Sequence, residues 1–193
     1  MNETTQPDDA KLAAAAQQGD MAAFEQLLSH YERRLFSFLR EISGNSTNAE
    51  DLSQTVWIAV HRNLHRYDVS RSFSTWLFAI ARNTAISAWR KKKDATLELQ
   101  DHDWVDRAHP AEASFAREDA DTIWAFVADN LGTEQRDALW LMYKEELSVR
   151  DIARVMNCSS VRVKVMIHRA RKKLLKAFAG QPAPGIVEAA GSI

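Results

Sequence analysis

One cysteine, Cys158, stands in 193 residues, so the chain cannot close an internal disulfide, and no Cys/His set has metal-ligand spacing. A reducing cytoplasm is the expected compartment. No stretch approaches the ~20 consecutive apolar residues that span a bilayer. The opening MNETTQPDDAKL is acidic and polar, unlike a secretory signal. Strand signals are scarce: there is little alternation of period two and few β-branched runs. Enzyme signatures are equally thin, because the six histidines are scattered, no Ser-His-Asp order is legible and no Gly-rich phosphate loop appears.

What the chain has is sorted charge. The formal net charge is only −1, yet Arg71 to Lys93 holds six Lys/Arg and no Asp/Glu. Leu147 to Phe178 holds nine Lys/Arg against one acid, Asp151. Between them, Asp94 to Asp121 carries nine acids against Arg107 and Arg117. One basic run is an ordinary solvated helix face. Two such runs, each ending an amphipathic helix and divided by an acidic connector, point to two polyanion-binding surfaces.

Apolar periodicity predicts an all-α chain of two small helical domains. A short helix over 9–18 should end at Gly19. Asp20 should cap a second helix reaching Ile42 that buries Phe24, Leu27, Leu28, Leu35, Phe38 and Leu39. SGNS breaks the pattern. A third helix, Asn48 to Leu64, turns Leu52, Val56, Ala59 and Val60 inward. A fourth, Ser72 to Lys93, carries Phe73, Trp76, Leu77, Ile80, Ala81, Ala85 and Trp89. Residues 1–93 thus form one expected domain, 94–113 an acidic flexible linker with Pro110, 114–179 a second domain and 180–193 a Gly/Pro/Ala-rich flexible tail. Helical periodicity in the second domain covers 115–131, 134–145, 149–156 and 160–178.

The segment LSVRDIARVMNCSSVRVKVMIHRARKKLLKAF reads as a helix-turn-helix. Ser148 can cap the first helix, with Asp151 in its first turn, where a negative charge suits the helix dipole. Ala153 is small where helices cross. Asn157 takes the turn position usually held by Gly and tolerates the left-handed backbone. Ser159 or Ser160 can cap the next helix. Along that helix Val163, Met166, Ile167, Ala170 and Leu174 share the packing face. Lys164, Val165, His168, Arg169 and Lys172 lie opposite, flanked by Arg162 and Arg171. Cations so placed reach phosphates or guanine edges.

Two runs resemble a known family. NAEDLSQTVWIAVHRNLHRYDVSRSFSTWLFAIARNTAISAWRKKK is similar to the second conserved region of bacterial RNA polymerase sigma factors. LGTEQRDALWLMYKEELSVRDIARVMNCSSVRVKVMIHRARKKL is similar to the fourth, and AFEQLLSHYERRLFSFLREI extends the first match. No room lies between them for the third domain of larger sigma factors, so the resemblance is to the extracytoplasmic-function (ECF) group of the sigma-70 family.

The resemblance implies a promoter-recognition subunit with core RNA polymerase and promoter DNA as partners, usually held by an anti-sigma factor. Bond formation would belong to the polymerase, so neither catalysis nor a cofactor nor a metal is expected. The D-L-x-Q helix would dock on polymerase through Asp51, Gln54, Thr55, Trp57 and Ile58, although Trp57 reads equally as core. The loop from Tyr67 through Ser70 to Arg71, with Asn83, would hold a flipped base of the minus-ten element. Trp76 would sit near the fork, unless it and Phe73 are core. Arg82, Arg90, Lys91, Lys92 and Lys93 would meet phosphates. Arg162, Lys164, Val165, His168, Arg169, Arg171 and Lys172 would face the minus-thirty-five element. Two departures stand out. Val161, Arg162, Val165 and Met166 replace the common Gly, Thr, Ser and Arg, and Ala79 replaces a basic residue. Two other readings remain: a sigma-like decoy for an anti-sigma factor, and a stand-alone helix-turn-helix regulator. The first leaves the cationic clusters without a use, and the second leaves the D-L-x-Q helix without one.

Overall fold

The computed structural model describes residues 7–43, 46–97 and 120–178, with side-chain detail over 9–43, 46–91 and 123–178. The chain divides into two compact units between Asp101 and His102. The first holds α1 (Pro7–Gln17), α2 (Met21–Ser43), α3 (Ser46–Asn63), a 3-10 turn (Leu64–Arg66) and α4 (Phe73–Leu97). The second holds α5 (Ala120–Asn130), α6 (Thr133–Tyr143), α7 (Val149–Val155) and α8 (Ser160–Ala177). No strand occurs among the described residues, in line with the missing period-two pattern. None of their helices is long and apolar enough to cross a membrane.

Local chemistry sets the ends of α1 and α2. Gly19 takes φ +94°, and the Gly19 and Asp20 N–H groups donate back to Ala16 and Ala15, a Schellman closure. Asp20 then accepts from the Ala23 N–H at 3.1 Å, capping α2. Leu27, Tyr31, Leu35, Phe38 and Leu39 of α2 are buried, as are Val56 and Val60 of α3 and Phe73, Leu77, Phe78 and Ala81 of α4. Phe38 and Phe78 meet edge to face at 5.1 Å. Asp9 ties α1 down inside this layer: the Tyr31 hydroxyl donates to its Oδ2 at 2.5 Å and His30 Nδ1 lies 3.4 Å from Oδ1. Burial first, and Asp9 second, hold the Tyr31 hydroxyl far above the usual phenol range, so it stays a donor.

Helix α4 departs from expectation by running to Leu97, four residues into the segment read as linker. No Gly or Pro interrupts 94–97, and a charge count does not see that continuity. The remainder of the expected linker, 98–113, and the whole expected tail, 180–193, lie outside the described residues. So do the first positions of the helix expected from Phe115.

In the second unit α5 and α6 bury Ile123, Val127, Leu139 and Leu141, and α7 adds Ile152 and Val155. Trp124 and Trp140 pack at 5.1 Å with the Lys144 ammonium over both rings. Helix α7 ends in a second Schellman closure: Asn157 N–H to Arg154 O at 3.2 Å, Cys158 N–H to Ala153 O at 3.0 Å, and Asn157 at φ +49°.

Two stability changes are expected. Phe38→Ala should cost about 3–5 kcal/mol in denaturant unfolding, because its ring is wholly buried against Phe78. A loss below about 1 kcal/mol contradicts the packing described. Asn157→Ala should cost about 1–2 kcal/mol while Asn157→Gly costs nothing, because only the former pays for a left-handed backbone.

Candidate nucleic-acid interface

Helix α8 has two faces. Val163, Met166, Ile167, Ala170 and Leu174 are buried against the rest of the second unit. Lys164, Val165, His168, Arg169 and Lys172 are exposed on the other side. Of the two candidate caps, Ser159 performs the role, accepting from the Arg162 N–H at 3.2 Å. Ser148 caps α7 in the same way from the Asp151 N–H at 3.2 Å. The flanking arginines are engaged within the unit. Arg162 reaches both carboxylate oxygens of Glu134 at 2.9 and 2.8 Å. Arg171 is half-buried, with Nε donating to the Tyr143 hydroxyl at 2.8 Å and its guanidinium over that ring. Arg171, on the flank of the exposed face, therefore braces α8 against α6.

Helix α3 exposes Asp51, Gln54, Thr55 and Ile58 along one side, with Ile58 at 53% exposure. Trp57 does not belong with them. It is 9% exposed and meets the Phe24 ring edge to face at 6.2 Å, so it is core. Its position one residue after Val56 places it on the packed shoulder of α3 rather than the ridge.

The minus-ten candidates divide between packed and exposed positions. Tyr67 is buried, in ring contact with Phe73 and Trp76, and its hydroxyl donates to the Arg71 carbonyl. Burial pushes that hydroxyl up to about 12, so it remains a donor at neutral pH. Trp76 is half-buried in the same cluster. Arg82 is 8% exposed, one turn after buried Phe78 and three residues before buried Ala85, so it faces inward. Asn83 is exposed and lines a groove of about 360 Å³ with Leu52 and Thr55 of α3 and Thr84, Ser87, Ala88 and Lys91 of α4. That groove takes no residue from 67–71. Arg90 and Lys91 are exposed at its end, while the side chains of Lys92 and Lys93 lie outside the described detail.

Three contributors escaped the sequence reading. Asp68 organises the loop, accepting from Ser70 N–H at 3.0 Å, Ser70 Oγ at 2.7 Å and Arg71 Nε at 3.0 Å. The Ser70 bonds, with the Arg71 guanidinium beside them, hold its carboxyl below the usual carboxylate range. This clasp is complete above ordinary carboxyl titration and is lost only as pH falls through the lowered value. The D-x-S spacing of an Asx turn was its signal. Gln17 braces the other end: its Nε2 donates to the carbonyls of Leu64 at 2.8 Å and Tyr67 at 2.7 Å, and no local pattern announces a link across 47 and 50 residues. Trp89, carried by the expected fourth helix with no face assigned to it, is exposed beside Arg90 and Lys91; the run WRKKK was its signal.

Comparison with known proteins agrees with this layout. The Sigma-70 region 2 family matches residues 27–95 and the Sigma-70, region 4 family matches 128–174. The ECF RNA polymerase sigma factor SigW of Bacillus subtilis is 32% identical over 82% of this chain and 90% of its own. The RNA polymerase sigma-H factor of Pseudomonas aeruginosa is 29% identical over 90% of this chain and 95% of its own. Among solved structures, CnrH in complex with the cytosolic domain of CnrY is 26% identical with TM-score 0.66, covering 91% of this chain and 99% of that one. The chain belongs to the extracytoplasmic-function group of sigma-70 family RNA polymerase sigma factors, which direct transcription initiation and are not enzymes.

Proposed function

We propose a division of labour in which residues 1–93 bind core RNA polymerase and open the minus-ten element while 114–179 read the minus-thirty-five element as duplex. The observation that carries this reading is the face sorting of α8, an apolar side seated in its unit and a side of Lys164, His168, Arg169 and Lys172 left to solvent. A helix so held presents cations in a fixed orientation to the major groove. Its phosphate contacts supply salt-dependent affinity, and its base contacts supply choice.

For the first unit, polymerase docking is assigned to Asp51, Gln54, Thr55 and Ile58. An exposed isoleucine among amides and a carboxylate suits a protein contact. Opened strand is assigned to the Asn83 groove, where Asn83, Thr55 and Ser87 can meet a base edge, with Arg90 and Lys91 along the backbone path. Ser70 and Arg71, held by Asp68, form a second contact near it in sequence. The acidic 94–113 segment is assigned the tether between units. Restraint by an anti-sigma protein is supported by CnrH having been solved with a bound cytosolic partner domain. The cytoplasm is the assigned compartment, since polymerase and promoter are its partners.

Run-off transcription with core polymerase on a promoter library tests the assignment. Asn83→Ala should form holoenzyme normally yet lose at least about tenfold in open complexes. Arg169→Ala should lose upstream-element preference worth about 1–3 kcal/mol. Ile58→Asp should weaken holoenzyme formation on every template, whereas Trp57→Ala should lower thermal stability by about 3–5 kcal/mol. If core polymerase with this protein starts no transcripts on any template, the decoy reading replaces this one.

A further inference from the structure

We infer that Val161 and Val165 read thymine methyl groups in the major groove of the upstream promoter element. This rests on α8 being the helix that enters that groove. The two valines are 70% and 41% exposed on the first and second turns of α8. A β-branched residue in a helix gives up side-chain freedom, and full burial, which normally offsets that loss, is reached at neither position. They stand four residues apart, so they share a face, and His168 and Lys172 continue the same stripe.

The neighbours narrow the occupant. Lys164, His168 and Arg169 are exposed around the valines, a setting that suits a polyanion rather than an apolar protein groove. Arg162, the cation of the first turn, gives its Nη2 to both oxygens of Glu134, so that nitrogen is directed to α6. The opening turns of a recognition helix are those that meet base edges. Here they offer methyl groups in place of donors at 161 and 165. In the major groove the apolar feature of a base edge is the thymine C5-methyl, and guanine or cytosine would face a valine with its polar atoms unmet. Four helical residues rise about 6 Å. Successive base pairs rise about 3.4 Å, so the two valines suit thymines about two steps apart, on either strand.

The test uses the full-length protein with core polymerase and a duplex library randomised across the upstream element, prepared in parallel with thymidine and with deoxyuridine. Enriched thymidine sites should carry thymine at one or two positions. Their deoxyuridine copies should bind about fourfold more weakly per lost methyl. Val165→Ala should bind the thymidine site more weakly and lose the discrimination at its own base pair, with an unchanged melting temperature because the side chain is exposed. Val161→Ala should shift the preference at a different base pair from Val165→Ala. Equal binding of thymidine and deoxyuridine sites by the wild type overturns the inference and leaves upstream-element reading intact. A deoxyuridine penalty that persists undiminished in both variants also overturns it, since the methyl then acts through duplex shape. Binding indifferent to the whole randomised window overturns the underlying assignment of α8 as well.

Discussion

The burial of one face of each helix is the constraint on which the functional surfaces depend. In α8, Val163, Met166, Ile167, Ala170 and Leu174 fix the rotation of the helix about its own axis. Once that rotation is set, Lys164, Val165, His168 and Arg169 have no direction but outward. The same rule acts on α3, where Val56, Trp57 and Val60 go in and Asp51, Gln54 and Ile58 come out. Full burial of a Leu- or Ile-sized side chain favours the folded state by about 1.5–3 kcal/mol. An exposed ion pair such as Arg162 with Glu134 contributes far less, because solvent screens it. Packing therefore aims the charges, and the charges do little to hold the packing.

Backbone closures complete the aim. Asn157 turns the chain between α7 and α8 with a left-handed backbone, and Ser159 restarts the helix at once. The Asp68 clasp and the Gln17 brace act similarly on the loop before α4. These are positional devices: they use side-chain hydrogen bonds to hold a short irregular segment, so that its exposed residues keep one geometry.

Legibility from sequence followed the locality of the cause. The helix-turn-helix was readable because its caps, its turn residue and the five inward positions of α8 are all encoded within a few residues of where they act. Helix α4 was not readable to the same degree. The run AIARNTAISAW has small or apolar residues on every side, so periodicity alone does not say which face is packed. Contact with α2 and α3 decides it, turning Arg82 inward and Trp89 outward. The burial of Tyr67 was not readable for a related reason: it comes from Phe73, Trp76 and a brace supplied by Gln17, fifty residues earlier. Trp57 carried both readings in sequence, and its contact with Phe24 settled it as core.

The central claim is that one helical unit holds opened strands while the other holds intact duplex. Permanganate footprinting of the holoenzyme on an enriched promoter reads this directly, because unpaired thymines react and paired ones do not. The account predicts reactive thymines confined to the downstream element, with the upstream element protected as duplex. Reactivity at the upstream element, or none at the downstream element in complexes that go on to make transcript, would contradict it.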